Sequence, residues 1–338
     1  MYQCENQNIT RVINRFSKTC FALVVTFQIA VFGMALSAEE PPPPQGFQST
    51  GAVGRAIASG QVKLINPLRS TPESVKVTAG IEYGIAEKTS LKLDLYSPKD
   101  LKKPVPGLVF IHGGAWRSGR RNDYRFYCLE FAQRGFVVAT ISYRLIDTAP
   151  FPAAVEDAKC AVRWMRANAK ELNIDPNRLA VIGGSAGGHL SMMVGYSSDV
   201  PQLEGTGGHK HVSSRVQAVV NLYGPTNLTT PFAINKKLII DFLGNKTFAE
   251  IPDQYKLASP ITHLTADDPP TLIFHGTIDD VVPVRQADIL AAKLTEVGVP
   301  FRYDRLIGWP HTMDLSDKIN RRCVALMLDF FDRYLIHN

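Results

Sequence analysis

The stretch VIGGSAGGHL, residues 181–190, sets one serine among four glycines directly behind an apolar run. Glycine loses more conformational freedom on folding than any other residue, and it permits backbone angles and close approaches that a β-carbon forbids. The cluster around Ser185 therefore specifies a sharp bend that something approaches closely. Upstream, RLAVIGG is continuously apolar, as a strand buried on both faces must be; downstream, the chain continues as an apolar helix through Val194. Ser185 sits at a tight strand-to-helix turn.

The same alternation extends in both directions. GLVFIHGG (107–114) precedes the amphipathic DYRFYCLEFAQRG, and FVVATISYRL (136–145) precedes a long helical stretch from Ala153 to about Leu172. VQAVVNLYG (216–224) is followed by an irregular region to about Ala266. PTLIFHG (270–276) precedes VRQADILAAKLTEVG, and FRYDRLIG (301–308) precedes a last helix from about Ser316 to Leu335. Apolar strands alternating with helices predict an α/β domain with a mainly parallel sheet covered on both faces. Before it, SVKVTAGIEYG and SLKLDLYSP alternate apolar and polar residues, the pattern of a half-exposed hairpin. One domain is expected over residues 74–338.

The N-terminus is of another kind. Arg11, Arg15 and Lys18 precede the uncharged run TCFALVVTFQIAVFGMAL and then SAEE. A basic start, an apolar middle and small residues before a polar continuation describe a secretory signal peptide over residues 1–38. Cleavage after Ser37 or after Ala38 both fit. A retained signal anchor is the lesser alternative, because the run approaches the ~18 residues of a membrane span. Residues 39–73, with four prolines at 41–44, read as a Pro-rich linker or surface arm.

Composition narrows the function. The chain has 338 residues, 45% hydrophobic and 20% charged, with a formal net charge of +6. Removing the signal peptide takes away three basic residues and one acidic one, and the remaining surplus forms no Lys/Arg block. Nucleic-acid binding gets no support. Of five cysteines, Cys128, Cys160 and Cys323 lie beyond the signal peptide, too few for a disulfide framework, although one bridge is allowed in an exported protein. No Cys/His spacing resembles a zinc site.

The chemistry gathers at strand ends. Gly183-Gly184-Ser185-Ala186-Gly187 fits G-x-S-x-G, in which a strained turn presents the serine oxygen above the sheet. That pentapeptide alone is a weak signal. His112-Gly113-Gly114-Ala115-Trp116 ends the LVFIH strand, and its glycines would let backbone amides reach a developing oxyanion. A serine nucleophile also needs a base, and the base needs a carboxylate to fix its tautomer. FHGTIDDVVP supplies Asp279 and Asp280; GWPHTMD supplies His311. Each lies just past the carboxyl end of a strand, where sites in open α/β sheets form.

The stretches HGGAWRSG, DAKCAVRWMRANA, IDPNRLAVIGGSAGGHL, HGTIDDVVP and GWPHT together resemble the α/β-hydrolase superfamily, in its HGG-motif esterase/lipase branch. That branch includes feruloyl and acetylxylan esterase-like enzymes and kynurenine formamidase-like amidases. The resemblance spans about residues 80 to 338. It implies Ser185 as nucleophile, His311 as base, Asp279 as acid, and the amides of Gly113, Gly114 and Ala186 as oxyanion donors, with no cofactor or metal. The H-G-x-x-D spacing from His275 selects Asp279 over Asp280. Hormone-sensitive-lipase relatives carry Asp where this chain has Gly184 and a third glycine where it has Ala115, so the resemblance points toward the feruloyl-esterase and formamidase-like group.

Trp116 and Trp309 flank the oxyanion loop and the base, and both substrate binding and simple packing are open to them. His112, His189 and His275 read as loop anchors. The expected function is an exported serine hydrolase of short-acyl carboxylic esters, with a small-molecule or polysaccharide-linked substrate carrying acetyl or feruloyl groups. An amidase on the same machinery is the alternative, and a catalytically inactive binding module is the third. Bulky Trp116 behind the oxyanion loop and the lack of a long apolar lid between Asp199 and Ala266 motivate the short acyl chain.

Overall fold

Runs of Val, Ile, Leu and Phe too apolar to face water on either side form the centre of the molecule. A computed structural model describes residues 40–66, 69–198 and 200–337; the expected signal peptide lies outside them. The strands are β1 (Val75–Ala86), β2 (Thr89–Pro98), β3 (Val105–Ile111), β4 (Val137–Ile141), β5 (Ile174–Gly184), β6 (Ala218–Leu222), β7 (Thr271–Gly276) and β8 (Phe301–Leu306). They make one eight-stranded sheet in the order β1-β2-β4-β3-β5-β6-β7-β8. β1 and β2 form the antiparallel hairpin, and β2 pairs antiparallel with β4. Every later pair is parallel.

Side chains alternate across a strand, and β3 shows the consequence. Val109 and Ile111 join one core, with the helices Ala153–Ala167, Ala186–Tyr196 and Arg285–Val297. Leu108 and Phe110 join the other, with the helices Arg125–Gln133 and Asp317–Phe331. Because β3, β5, β7 and β8 run parallel, their carboxyl ends share one edge. His112 and Ser185 follow neighbouring strands there; Asp279 and His311 follow another neighbouring pair.

Three stretches differ from the sequence expectation. The long helical run breaks after Ala167, and a short turn Ala169–Leu172 ends at Asn173 in the left-handed conformation. The irregular region contains the helices Pro231–Ile234, Lys237–Phe242, Pro252–Leu257 and Pro260–His263. None is long enough to display a helical period in sequence. Within 39–73, expected as linker or arm, a helix runs from Thr50 to Ala58, capped by the Ser49 hydroxyl, which accepts from Ala52 N at 3.2 Å. It buries Val53 and Ala56. Cys128, Cys160 and Cys323 are buried free thiols. Among the described residues no helix is long and apolar enough to cross a membrane.

Candidate active site

β5 passes into the helix Ala186–Tyr196 through a single residue, Ser185, held at φ 56° and ψ −122°. A β-carbon on Gly187 would lie 2.0 Å from the Ile111 carbonyl oxygen, and one on Gly183 would lie 2.3 Å from the Gly187 carbonyl oxygen. Neither backbone can yield, so the bend admits only glycine at both places. The Ser185 amide donates to the Leu222 carbonyl at 2.9 Å, tying the elbow to β6. Every residue of the following helix is buried. Its N-terminus, with the Ala186 amide, carries the positive end of the helix dipole to the serine.

The loop after β3 lies against this elbow. A β-carbon on Gly113 would stand 3.3 Å from Ser185 Cβ. Gly114, Ala115 and Trp116 have φ of 101°, 54° and 55°, three successive left-handed residues. Such a run is costly for Ala and Trp, and strain of this kind persists where surrounding structure imposes it. His112 supplies part of that structure. Its ring stacks on Tyr143 at 4.4 Å, its Nδ1 lies 2.8 Å from the Gly113 carbonyl oxygen, and burial lowers its pKa. Among the described residues neither the Gly113 nor the Gly114 amide donates to an acceptor within the protein. Both donors are available to a ligand.

On the other side, His311 Nε2 is 3.0 Å from Ser185 Oγ, and His311 Nδ1 is 2.6 Å from Asp279 Oδ2. A carboxylate only accepts, so Nδ1 carries the proton and the Nε2 lone pair faces the serine hydroxyl. Asp279 Oδ1 accepts the Val281 and Val282 amides at 2.9 and 2.8 Å. Burial alone would raise the Asp279 pKa. Hydrogen bonds from His275 and His311, the His311 charge and the Val282 amide overcome that and bring it down to about 2. Asp280 is exposed.

The flanking residues divide. Trp116 is 3% exposed, stacked on Phe242 at 4.3 Å and edge-on to His189 at 5.1 Å. Trp309 is equally buried. Its indole N–H donates to the Pro44 carbonyl at 3.2 Å, and its ring meets Phe47 edge-on. Both roles were open to Trp309; its visible contacts are packing against the arm. His189 Nε2 donates to the Ala258 carbonyl at 2.7 Å, and burial brings its pKa down to about 4. His275 Nε2 lies 2.8 Å from the Val282 carbonyl oxygen and 3.3 Å from Asp279 Oδ2, so it braces Asp279 as well as its loop.

Sequence reasoning missed Tyr223. It follows β6, between the strands that carry Ser185 and Asp279, and has φ 45°. Its ring packs edge-on to the His311 imidazole at 4.6 Å, and its hydroxyl donates to Asp314 Oδ1 at 2.6 Å. Burial raises the Asp314 pKa. The available signal was the tripeptide Leu-Tyr-Gly at the end of an apolar strand on the same edge, which places a tyrosine there without giving it a partner.

Comparison with known proteins adds the following. The family model BD-FAE matches residues 93–294. Esterase LipC of Mycobacterium tuberculosis is 35% identical over 232 residues, 67% of this chain and 57% of LipC. The chain thus spans little more than half the length of that relative. Among solved structures, a truncated carbohydrate esterase from gut microbiota superposes with a TM-score of 0.69 at 28% identity, covering 78% of this chain and 99% of that one. A Thermogutta terrifontis esterase with butyrate bound superposes with a TM-score of 0.65 at 29% identity, covering 78% and 96%.

Proposed function

The chain belongs to the BD-FAE family and has the α/β-hydrolase fold, and on that premise we propose that it is a carboxylic ester hydrolase working through Ser185, His311 and Asp279. The observation that carries this reading is the hydrogen-bonded line Asp279–His311–Ser185, at 2.6 and 3.0 Å, ending on a serine at a strained elbow.

In this mechanism Ser185 Oγ attacks the ester carbonyl carbon while its proton passes to His311 Nε2. Asp279, ionised down to about pH 2, stabilises the resulting imidazolium and keeps Nδ1–H pointed at itself. The carbonyl oxygen becomes an oxyanion and takes hydrogen bonds from the amides of Ala186, Gly113 and Gly114; each such donor contributes ~10²–10³ in turnover. Collapse breaks the C–O bond to the leaving alcohol, which receives the proton from His311. Water then attacks the acyl-enzyme with His311 again as base, releasing the acid and restoring Ser185.

The substrate is a short-acyl ester, acetyl to butyryl, carried by a small molecule or a polysaccharide. Three observations support this. Trp116 and Phe242 stack as a rigid buried wall directly behind the oxyanion loop. The butyrate-bound Thermogutta esterase is similar over most of both chains, and so is the gut carbohydrate esterase. The N-terminal sequence has the pattern of an export signal, which supports a substrate outside the cytoplasm, where acetylated and feruloylated polysaccharides occur.

The test is a p-nitrophenyl ester series run beside acetylated xylan, a feruloyl ester and N-formylkynurenine. Turnover peaking between two and four acyl carbons is expected. A preference for ten carbons or more makes the protein a lipase, and dominant hydrolysis of the formamide makes it an amidase.

A further inference from the structure

The histidine loop is held from outside the hydrolase sheet, and the holder is the segment just before the domain. Ahead of His311, Phe47 N donates to the Gly308 carbonyl at 2.8 Å, Trp309 Nε1 donates to the Pro44 carbonyl, and the Phe47 and Trp309 rings meet edge-on at 5.5 Å. The two backbones touch here. A β-carbon on Gly46 would lie 1.9 Å from the Ile307 carbonyl oxygen, and one on Gly308 would lie 2.4 Å from the Phe47 nitrogen. Behind His311, Ile65 N donates to the Leu315 carbonyl at 2.9 Å and Asp317 N to the Lys63 carbonyl at 2.8 Å, and Leu64 bridges to Ser316. The intervening helix Thr50–Ala58 anchors both attachments by burying Val53 and Ala56.

On its other flank the same loop rests on the segment that carries Asp279. Gly308 N donates to Thr277 Oγ1 at 2.8 Å, and Ile278 N donates to the Trp309 carbonyl at 3.2 Å. The histidine loop is therefore sandwiched between the arm and the acid's own loop. Only residues 310–314 span the gap between the two arm attachments.

We propose that residues 44–47 and 63–65 are a two-point clamp that positions His311 against Ser185 and Asp279, so that Phe47 and Gly46 are positioning residues for the reaction. This rests on the triad reading above. The physical reason is the steepness of geometry in proton transfer: a displacement of about 1 Å lowers turnover by ~10²-fold. A loop whose regular structure is a single 3₁₀ turn, Met313–Leu315, needs outside support to hold that tolerance. The clamp acts through His311 on the transition state, so it affects kcat and leaves KM.

The experiment uses the mature chain, with p-nitrophenyl butyrate turnover, thermal unfolding and the rate of fluorophosphonate labelling of Ser185 measured together. Phe47→Ala removes the ring on Trp309, and Gly46→Val forces the arm off the Ile307 carbonyl. Expected are falls in kcat of ~10-fold and ~10²-fold, with KM within about threefold and labelling slowed in step. Phe47→Tyr, which keeps the ring, restores the wild-type rate. Should either variant fail to fold, Trp309→Phe deletes the donor to Pro44 together with the pyrrole half of the indole while keeping an aromatic ring beside Phe47, and a fall in kcat without a change in KM is expected there too. Folded variants with wild-type kcat and labelling rate overturn the proposal and leave the arm as packing alone. The triad reading fails separately: in that case Ser185→Ala retains turnover whatever the arm variants do.

Discussion

The elbow at Ser185 and the loop at His311 face each other across 3.0 Å and are built in opposite ways. The elbow is specified locally. A buried strand, two glycines that admit no β-carbon and a buried helix place Ser185 within a ten-residue motif, with the Leu222 and Ile111 carbonyls as its contacts from neighbouring strands. The histidine loop is specified from afar. Its indole N–H finds an acceptor 265 residues away, its imidazole packs on a tyrosine that follows β6, and its end is tied to residues 63–65. A nucleophile can be encoded in a motif, whereas the orientation of its base is encoded in tertiary packing. The two halves should therefore fail differently when mutated.

The largest effect is expected at the elbow. Ser185→Ala removes the proposed nucleophile and should lower turnover by ~10⁴-fold or more, while thermal unfolding stays at the wild-type temperature. Esterase activity retained in the pure variant breaks the comparison at its root. Gly187→Ala sharpens it: the added carbon meets the Ile111 carbonyl oxygen at 2.0 Å, so both activity and folding suffer. A stability loss of ~3 kcal/mol or more is expected from denaturant unfolding.

Asp279, the acid proposed beside His311, comes next. Asp279→Asn leaves the shape but loses the fixed tautomer, and turnover should fall by ~10³–10⁴-fold. Asp280→Asn should stay within about twofold, since surface changes rarely matter. The reverse ranking in steady-state kinetics reassigns the acid.

Next in size is pH. A base must be neutral to accept the serine proton, so activity falls on acidification once the imidazole is protonated. Asp279 contributes nothing to that limb, because it stays ionised to about pH 2. Its depressed value appears in stability instead. The contribution is present above the unfolded carboxylate's ~3.9 and is lost as pH falls toward about 2, ~2 kcal/mol in all. A flat rate between pH 8 and 5 in folded protein contradicts histidine base catalysis. A pH-unfolding curve for Asp279→Asn that drops as much as wild type between pH 4 and 2 contradicts the carboxylate's role in stability.

The smallest effect is expected at Tyr223. Tyr223→Phe keeps the ring against His311 and deletes the bond to Asp314, for a loss of ~1–3 kcal/mol in unfolding free energy and less than tenfold in kcat. A larger kinetic than structural effect would move Tyr223 into the chemistry.

Much of this was legible in the sequence, for reasons the comparison makes plain. Continuous apolar runs such as LVFI and AVIGG announce parallel strands buried on both faces. The hairpin of β1 and β2 announces itself by alternation. The glycines of the elbow and of the HGG loop are visible because the backbone itself needs them. What escaped lies in contacts between distant segments. Nothing in PPPPQGF shows that Phe47 meets Trp309, and nothing in NLYGP shows that Tyr223 meets His311. The short helices of the region 199–266 escaped because helices of four to six residues carry no period.

The most direct test of the central claim is stoichiometric labelling with a fluorophosphonate, followed by peptide mapping, on wild type, Ser185→Ala and His311→Ala. One adduct per chain on Ser185, absent in Ser185→Ala and slowed by ~10³-fold or more in His311→Ala, is the predicted result. An adduct on another residue, or undiminished labelling without His311, would contradict the account.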